Sequence, residues 1–280
     1  MDFRRIYSSD AISFEVFPPK TEEGVKNLFS ELDILSQYKP AFISVTYGAG
    51  GSTQEKTLDL ALAIRDRYAI QPLVHFTCVG AGRNDIQRHL DRVRALGLTD
   101  ILALRGDPPK GQTDFVPAPD GFSYANELVE FIASQGGFSI AVAGYPEKHP
   151  AASGFDSDVQ NLKRKIDAGA SLVITQLFFD NTAFFRFSDA LGSLGTDIPV
   201  VPGILPMTDP SQIEKMAQMC GASVPQRFAA ELRASSDPAK TGVDFAIAQC
   251  RELKARGVKG FHFYPLNKAK AVAAVLDAIL

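Results

Sequence analysis

Ile12-Ser13-Phe14-Glu15-Val16-Phe17-Pro18-Pro19 is an apolar, strand-like run that carries one carboxylate and is stopped by two prolines. Pro18 has no N–H to give a sheet ladder, so the strand has to end there. Immediately beyond, Thr21-Glu22-Glu23-Gly24 reads as a helix start, a hydroxyl cap followed by two acidic residues. The unit is a buried strand, a turn and a helix.

The same unit recurs along the chain. Apolar runs predict strands at Ser13–Phe17, Phe42–Thr46, Leu73–Cys78, Asp100–Leu104, Phe138–Gly144, Leu172–Leu177, Val200–Gly203 and Gly260–Phe263. None alternates cleanly between apolar and polar residues, as expected of strands covered on both faces. Between and after them, helical periodicity predicts helices at Glu22–Gln37, Gln54–Tyr68, Asp85–Leu96, Tyr124–Gln135, Asp156–Ala168, Thr182–Leu191, Ser211–Met219 and Lys268–Ile279. Ser52 and Thr53 precede the second helix, and Asp209-Pro210 the seventh, as start signals. Gly97, Gly136-Gly137, Gly169 and Gly257 close helices or lead into strands. Eight right-handed strand–helix units predict an α/β fold, a (β/α)8 TIM barrel. One irregularity is an extra helical insertion before the last strand, Pro225–Ala234 followed by Gly242–Arg256. No linker or composition shift divides residues 1–280, so one catalytic barrel domain is expected.

Composition excludes several classes of function. With 45% hydrophobic and 22% charged residues the chain can build a large core. A net charge of −3 gives no electrostatic case for nucleic acid or an acidic membrane surface. Cys78, Cys220 and Cys250 lack paired spacing, which points to a reducing, cytoplasmic setting. No leader-like or membrane-spanning apolar stretch is present. His75, His89, His149 and His262 are too dispersed for metal-ligand spacing, so no metal is expected.

In a barrel of this kind chemistry gathers at the carboxyl ends of the strands. Those ends carry Glu15, Thr46-Tyr47-Gly48-Ala49-Gly50-Gly51, His75, Arg105-Gly106-Asp107, Gly144-Tyr145, Gln176, Gly203 and His262-Phe263-Tyr264. Glu15 admits two readings. It is either a desolvated carboxyl that keeps its proton near neutral pH and acts as a general acid, or the polar half of a strand facing water. Arg105 offers a planar donor set for phosphate or carboxylate, Gly106 lets backbone approach a ligand, and Asp107 is an acceptor for a heterocycle. The same residues also suit a stiff loop with an ion pair. Asn161, Arg164 and Lys165 share a helix face suited to a diphosphate or ribose, or simply to solvent. The loop Thr46–Thr53 can offer amides to phosphate, but it is neither a P-loop nor a dinucleotide fingerprint.

Five stretches taken in order resemble the bacterial methylenetetrahydrofolate reductase family. They are Phe14-Glu15-Val16-Phe17-Pro18-Pro19-Lys20, Val45-Thr46-Tyr47-Gly48-Ala49-Gly50-Gly51, Leu104-Arg105-Gly106-Asp107, Val201-Pro202-Gly203-Ile204-Leu205-Pro206 and Gly260-Phe261-His262-Phe263-Tyr264. The resemblance implies a flavin enzyme that uses NADH or NADPH to convert 5,10-methylenetetrahydrofolate to 5-methyltetrahydrofolate. It implies that Glu15 protonates N10 of the folate, opening the ring to a 5-iminium cation that takes hydride from the flavin, and that Asp107 stabilises that cation. By the same resemblance FAD contacts fall on Thr46, His75, Arg105, Gly106, Asp107, Tyr124, Ala125, Tyr145, His149, Asp158, Asn161, Arg164 and Lys165. Gln176 falls to the folate or the nicotinamide, which alternate in one pocket; Gln212 and Lys268 fall to the folate tail. A homo-oligomer of unspecified size is expected.

Two departures stand out. Pro108–Ser123, with four prolines, is longer than in familiar bacterial members. The chain also ends soon after the eighth helix, so no regulatory domain and no adenosylmethionine inhibition are expected. Two rivals stay open: a flavin-free folate- or pterin-binding barrel of a methyl-transfer system, and a flavoprotein subunit reduced only by a partner.

Overall fold

The computed structural model describes residues 1–47, 54–107 and 115–280. The glycine-rich loop 48–53, with the start signals Ser52 and Thr53, and residues 108–114 of the proline-containing stretch lie outside the described residues. The chain begins with a short helix α1 (Phe3–Ile6) and then alternates. Strand β1 (Ala11–Val16) leads to α2 (Glu22–Leu35), β2 (Phe42–Val45) to α3 (Gln54–Tyr68), β3 (Pro72–Thr77) to α4 (Arg83–Ala95), and β4 (Asp100–Leu104) to α5 (Ala125–Ser134). Then β5 (Ser139–Gly144) leads to α6 (Phe155–Asp167), β6 (Leu172–Leu177) to α7 (Asn181–Ser193), and β7 (Val200–Ile204) to α8 (Ile213–Cys220). Two further helices, α9 (Gln226–Ala234) and α10 (Pro238–Ala255), precede β8 (Gly260–Phe263) and the last helix α11 (Ala269–Ile279). The strands pair in parallel, each with its neighbours in sequence, and β8 closes on β1. This is the expected (β/α)8 barrel, with the helical insertion before the last strand.

The elements end where local chemistry says they should, with small shifts. Thr21 Oγ1 accepts the Gly24 N–H at 3.0 Å, capping α2 as read from the sequence. Helix α4 starts at Arg83, two residues earlier than expected, and the Asp85 carboxylate accepts the Gly82 N–H. Helix α8 starts at Ile213 rather than Ser211, because Asp209 Oδ1 holds both the N–H and the hydroxyl of Ser211 in a turn. Helix α10 begins at Pro238 rather than Gly242; Asp237 caps it and proline takes the first turn, where no N–H is needed. Helix α1 has too short an apolar pattern to read in advance.

Three apolar layers position the site. Outward residues of the strands, such as Phe14, Val16, Ile43 and Val74, pack with the helices in the main core. Inward residues near the strand starts, Phe42, Leu73, Leu102, Ala141 and Leu172, pack with Phe3 and Tyr7 of the first helical turn and its cap to plug the barrel floor. A third cluster joins the ends of β6 and β7 to α8 and α9 through Leu177, Phe179, Leu205, Ile213 and Phe228. Phe228 and Phe245 of the insertion stack on each other at 3.8 Å and pack against Phe179, just past β6, at 5.8 and 6.3 Å, so the insertion sits on the mouth of the barrel. Going up the interior, apolar side chains give way to polar ones. On β1 and β8, Ser13 and His262 are fully buried inside the barrel.

Candidate active site

Glu15, one residue from the end of β1, opens into a cavity of about 330 Å³ at the carboxyl ends of the strands. Its side chain keeps 24% exposure, so the reading of a pocket-facing carboxylate holds over that of a surface one. Two imidazoles converge on the same oxygen: His75 Nε2 from β3 at 3.2 Å and His262 Nε2 from β8 at 3.9 Å. Neither contact has hydrogen-bond alignment, and both ring nitrogens are buried without a hydrogen-bond partner among the described residues. Behind them, Ser13 Oγ lies 2.8 Å from His262 Nδ1 and 3.2 Å from the Tyr7 hydroxyl. A Ser13 hydroxyl donating to Nδ1 would leave the His262 proton on Nε2, facing Glu15.

This cluster corrects the expected protonation of Glu15. Burial alone pushes the carboxyl up, but His262 and His75 outweigh it and hold Glu15 down at about 2. His262 itself is pushed below the ordinary histidine range by burial, against the pull of Glu15. In the ligand-free protein Glu15 is therefore an anion at neutral pH beside a neutral His262. The run Ile12–Phe17 could not reveal this, because the imidazoles arrive from strands 60 and about 250 residues away in sequence.

The opposite wall is cationic. Lys165 on α6 reaches the cavity and donates a hydrogen bond to the Ala143 carbonyl at 3.0 Å. Burial lowers its ammonium to about 8, with Asp158 opposing and Arg105 adding to the shift. Asp158 Oδ2 accepts the His149 N–H at 2.9 Å, and His149 sets its ring edge-on to Tyr145 at 4.6 Å. Burial pushes His149 below the ordinary histidine range as well. Arg105 lies over the Phe115 ring at 5.0 Å. Gly106 has φ +89, and a Cβ there would strike Val79 at 2.6 Å. Glycine is thus required by the loop's own packing, a reason separate from ligand approach.

The cavity brings together Glu15, His75, Arg105, Gly106, Asp107, Ala125, Tyr145, His149, Lys165 and Gln176. The other candidates lie outside its wall. Thr46 sits just past β2, its N–H on the Val16 carbonyl and its own carbonyl bonded by the Thr57 hydroxyl. Tyr124, 62% exposed, precedes α5, where Glu127 accepts its N–H. Asn161 and Arg164 pair with each other at 2.9 Å on the exposed side of α6, so only Lys165 of that face turns inward; an i, i+4 spacing leaves a helix broad enough for this split. Gln212 and Lys268 are exposed residues at the starts of α8 and α11. Residues given no role from sequence also line the cavity: Tyr264, Leu205, Met216, Cys220 and Leu266. His262 and Tyr264 stood at a strand end, where period-two alternation points both inward; that signal was available. Met216 and Cys220 are brought in by α8 and left none.

Among the described residues no group of His, Cys, Asp and Glu has a metal-holding arrangement, and no helix is long and apolar enough to cross a membrane.

Comparisons with known proteins agree with the motifs. A family model described as methylenetetrahydrofolate reductase matches residues 3–279. The chain is 40% identical over 285 residues to methylenetetrahydrofolate reductase (NADH) 1 of Arabidopsis thaliana, covering 95% of this chain and 48% of that protein. It is 38% identical over 272 residues to 5,10-methylenetetrahydrofolate reductase of Escherichia coli K12, covering 96% of this chain and 90% of that one. The chain thus spans about half the length of the plant relatives it matches. Among solved structures, a 2,3-dimethylmalate lyase superposes with TM-score 0.55 at 11% identity over 99% of this chain and 83% of its own. The dihydropteroate synthase of Thermus thermophilus superposes with TM-score 0.52 at 13% identity over 98% and 96%. These two speak for the barrel alone. With eight strands in sequence order, a carboxylate at the end of the first and a match across nearly its whole length, the chain belongs to the methylenetetrahydrofolate reductase family.

Proposed function

We propose that this chain reduces 5,10-methylenetetrahydrofolate to 5-methyltetrahydrofolate, with hydride drawn from NADH or NADPH through FAD. The observation that carries the reading is Glu15, a carboxylate at the barrel mouth flanked by two buried imidazoles. FAD, when bound, supplies a two-electron carrier between nicotinamide and folate. The residues present fit such a group. The cavity wall holds the Lys165 ammonium, which donates to the Ala143 carbonyl, and Arg105, which suit a diphosphate. His75 offers a buried ring nitrogen without a hydrogen-bond partner among the described residues.

The roles of the chain's own residues follow from charge and burial. Lys165, Arg105 and His149 bind the anionic part of the cofactor, and Asp158 orients His149 through its backbone. Asp107, exposed on the rim, faces the reacting folate with negative charge, which favours a cationic intermediate over its neutral precursor. Glu15 starts as an anion. A folate ring laid over the cavity removes its remaining water, and desolvation then raises its proton affinity. A proton drawn from solvent as the ring settles is then delivered to the folate nitrogen whose bond to the one-carbon unit must break, and Glu15 returns to its anion. His262, its Nδ1 hydrogen-bonded with Ser13, stands 3.9 Å from the carboxylate and lowers its proton affinity in the ligand-free protein.

The test is separation of half-reactions. The purified protein is expected to be yellow, to bleach with NADH or NADPH under anaerobic conditions, and to recover colour on adding methylenetetrahydrofolate. Glu15→Gln is expected to bleach normally but to recover about 10²–10⁴-fold more slowly. Equal loss of both half-reactions in a flavin-loaded variant contradicts the acid role. A colourless protein that binds folate favours the flavin-free barrel instead, and flavin that no nicotinamide bleaches favours a partner-dependent subunit.

A further inference from the structure

The ladder between β6 and β7 runs in register through Val173 with Val200 and Ile174 with Val201, then slips so that Leu177 opposes Gly203. One extra residue is therefore accommodated on β6, an uncommon event in a parallel pair. In an unbroken parallel ladder, Val173 N–H bonds the Pro199 carbonyl, and four residues on, the Gly203 N–H would bond the Thr175 carbonyl. Two side chains bond into the ladder at this point: Gly203 N–H donates to the Thr175 hydroxyl at 2.8 Å, and the Thr175 carbonyl accepts the Tyr264 hydroxyl at 2.7 Å. The carbonyl lies where a Cβ on Gly203 would fall, 2.2 Å from that point, with the Tyr264 ring 2.6 Å from it. Only glycine at 203 leaves room for the arrangement.

The bulge has a consequence in the cavity. Gln176 turns to the mouth, and its Oε1 accepts the N–H of Leu177 at 3.0 Å. An N–H can bond only the oxygen of an amide, so this contact assigns Oε1 to the Leu177 side, and the two N–H donors have no hydrogen-bond partner among the described residues. Tyr264 also sets its ring edge-on to His262 at 5.1 Å, so the residue that closes the bulge touches the Glu15 cluster.

We infer that Thr175 and Tyr264 are positioning residues: they hold the β6 bulge and thereby aim the Gln176 amide, as a donor, at an acceptor on the folate ring system, a carbonyl oxygen or an unprotonated ring nitrogen. The inference rests on the proposed binding of folate in this cavity. It demands that Thr175 and Tyr264 act through Gln176, which a double-mutant cycle measures.

The experiment is equilibrium binding of 5-methyltetrahydrofolate by calorimetry to the flavin-loaded protein and to Thr175→Val, Thr175→Ser, Tyr264→Phe, Gln176→Ala and the Thr175→Val/Gln176→Ala double variant. Thr175→Val keeps the side-chain shape but removes the acceptor. It and Tyr264→Phe are expected to weaken binding about fivefold to tenfold, the size of one neutral hydrogen bond. Thr175→Ser is expected to stay within about twofold. KM for the methylene substrate should rise in step, with kcat nearly unchanged. In the Gln176→Ala background, Thr175→Val should add nothing further. A full additional loss there, or an unaltered affinity in both Thr175→Val and Tyr264→Phe, overturns the inference. If Thr175→Val fails to fold, Tyr264→Phe with its own double variant decides by the same cycle. Unaltered affinity in Gln176→Ala also overturns it. The folate reading itself fails only if the wild-type protein binds no folate.

Discussion

The floor and the mouth of the barrel are lined by the same eight strands, yet they treat buried polar groups in opposite ways. At the floor Asp100, 1% exposed, accepts hydrogen bonds from the Gln71 amide at 2.7 Å, the Thr99 hydroxyl at 3.1 Å and the Met1 amino group. Phe3 packs in the floor, edge-on to Phe42 at 6.1 Å. At the mouth, His75 Nε2, His262 Nε2 and Thr77 Oγ1 are buried without hydrogen-bond partners among the described residues. A satisfied polar group stabilises a fold, while an unsatisfied one costs energy until something fills its place. The difference teaches where this protein keeps its capacity to bind: at the end where polar groups are left unpaired.

That contrast can be broken by mutation, most forcefully at the floor. Asp100→Ala takes the acceptor from the Gln71 amide and the Thr99 hydroxyl, leaves the Met1 amino group only Ser139 Oγ, and is expected to cost about 3–5 kcal/mol in urea unfolding. Ligand affinity at the mouth should stay within about twofold, since the two ends share no partner. A small stability loss would mean the floor is not the well-satisfied end.

Acid titration tests the mouth. Glu15 is held down at about 2 from an ordinary 4.5, so its stabilising contribution is present above 4.5 and is lost as pH falls through about 2. Between those values stability should fall by at most about 1.4 kcal/mol per pH unit from this group. Glu15→Gln should flatten that limb of the profile, read from chemical denaturation at stepped pH.

Lys165→Met sharpens the comparison from the other side. The folded ammonium titrates at about 8, below its ordinary 10.5. Its burial penalty is therefore full below 8 and disappears as pH rises towards 10.5. At neutral pH the variant is expected to hold or gain up to about 1 kcal/mol of stability while losing about tenfold in affinity for FAD. In the wild-type apoprotein, affinity for inorganic pyrophosphate should weaken as pH rises through 8; a flat profile would remove Lys165 from the anion site.

The smallest effect is expected at His89, which lies beside Phe76 at 4.8 Å and Tyr47 at 5.9 Å. Burial lowers it to about 4 from 6.5, so it is neutral in the fold and the unfolded chain binds protons first on acidification. Its burial penalty is absent above 6.5 and grows as pH falls towards 4. His89→Leu should remove a loss of about 1 kcal/mol in that window, seen as a higher Tm at about pH 5 relative to wild type.

Much of the architecture was legible in the chain. Val200-Val201-Pro202-Gly203 and Asp100-Ile101-Leu102-Ala103-Leu104 read as strands because strands covered on both faces are short and apolar. The helix boundaries that slipped, at Arg83, Ile213 and Pro238, did so where a side chain such as Asp209 or Asp237 competed for the first N–H groups. At the site, sequence placed Glu15, Arg105 and Gln176 at strand ends, and all three line the cavity. It grouped Asn161, Arg164 and Lys165 on one face, yet only Lys165 turns inward, because helix rotation against the barrel is set by Val159 and Leu162 packing underneath.

Local patterning by itself determined the number and order of strand–helix units, the ends at which they stop, and the strand-end position of the polar residues. It did so because periodicity, caps and prolines act over a few residues. Tertiary structure alone decided the charge of Glu15 and the aim of Gln176. The first depends on His75 and His262, and the second on Gly203 and Tyr264. Electrostatic and hydrogen-bond energies act over a few ångströms of space, and barrel closure brings within that range residues that the chain holds far apart.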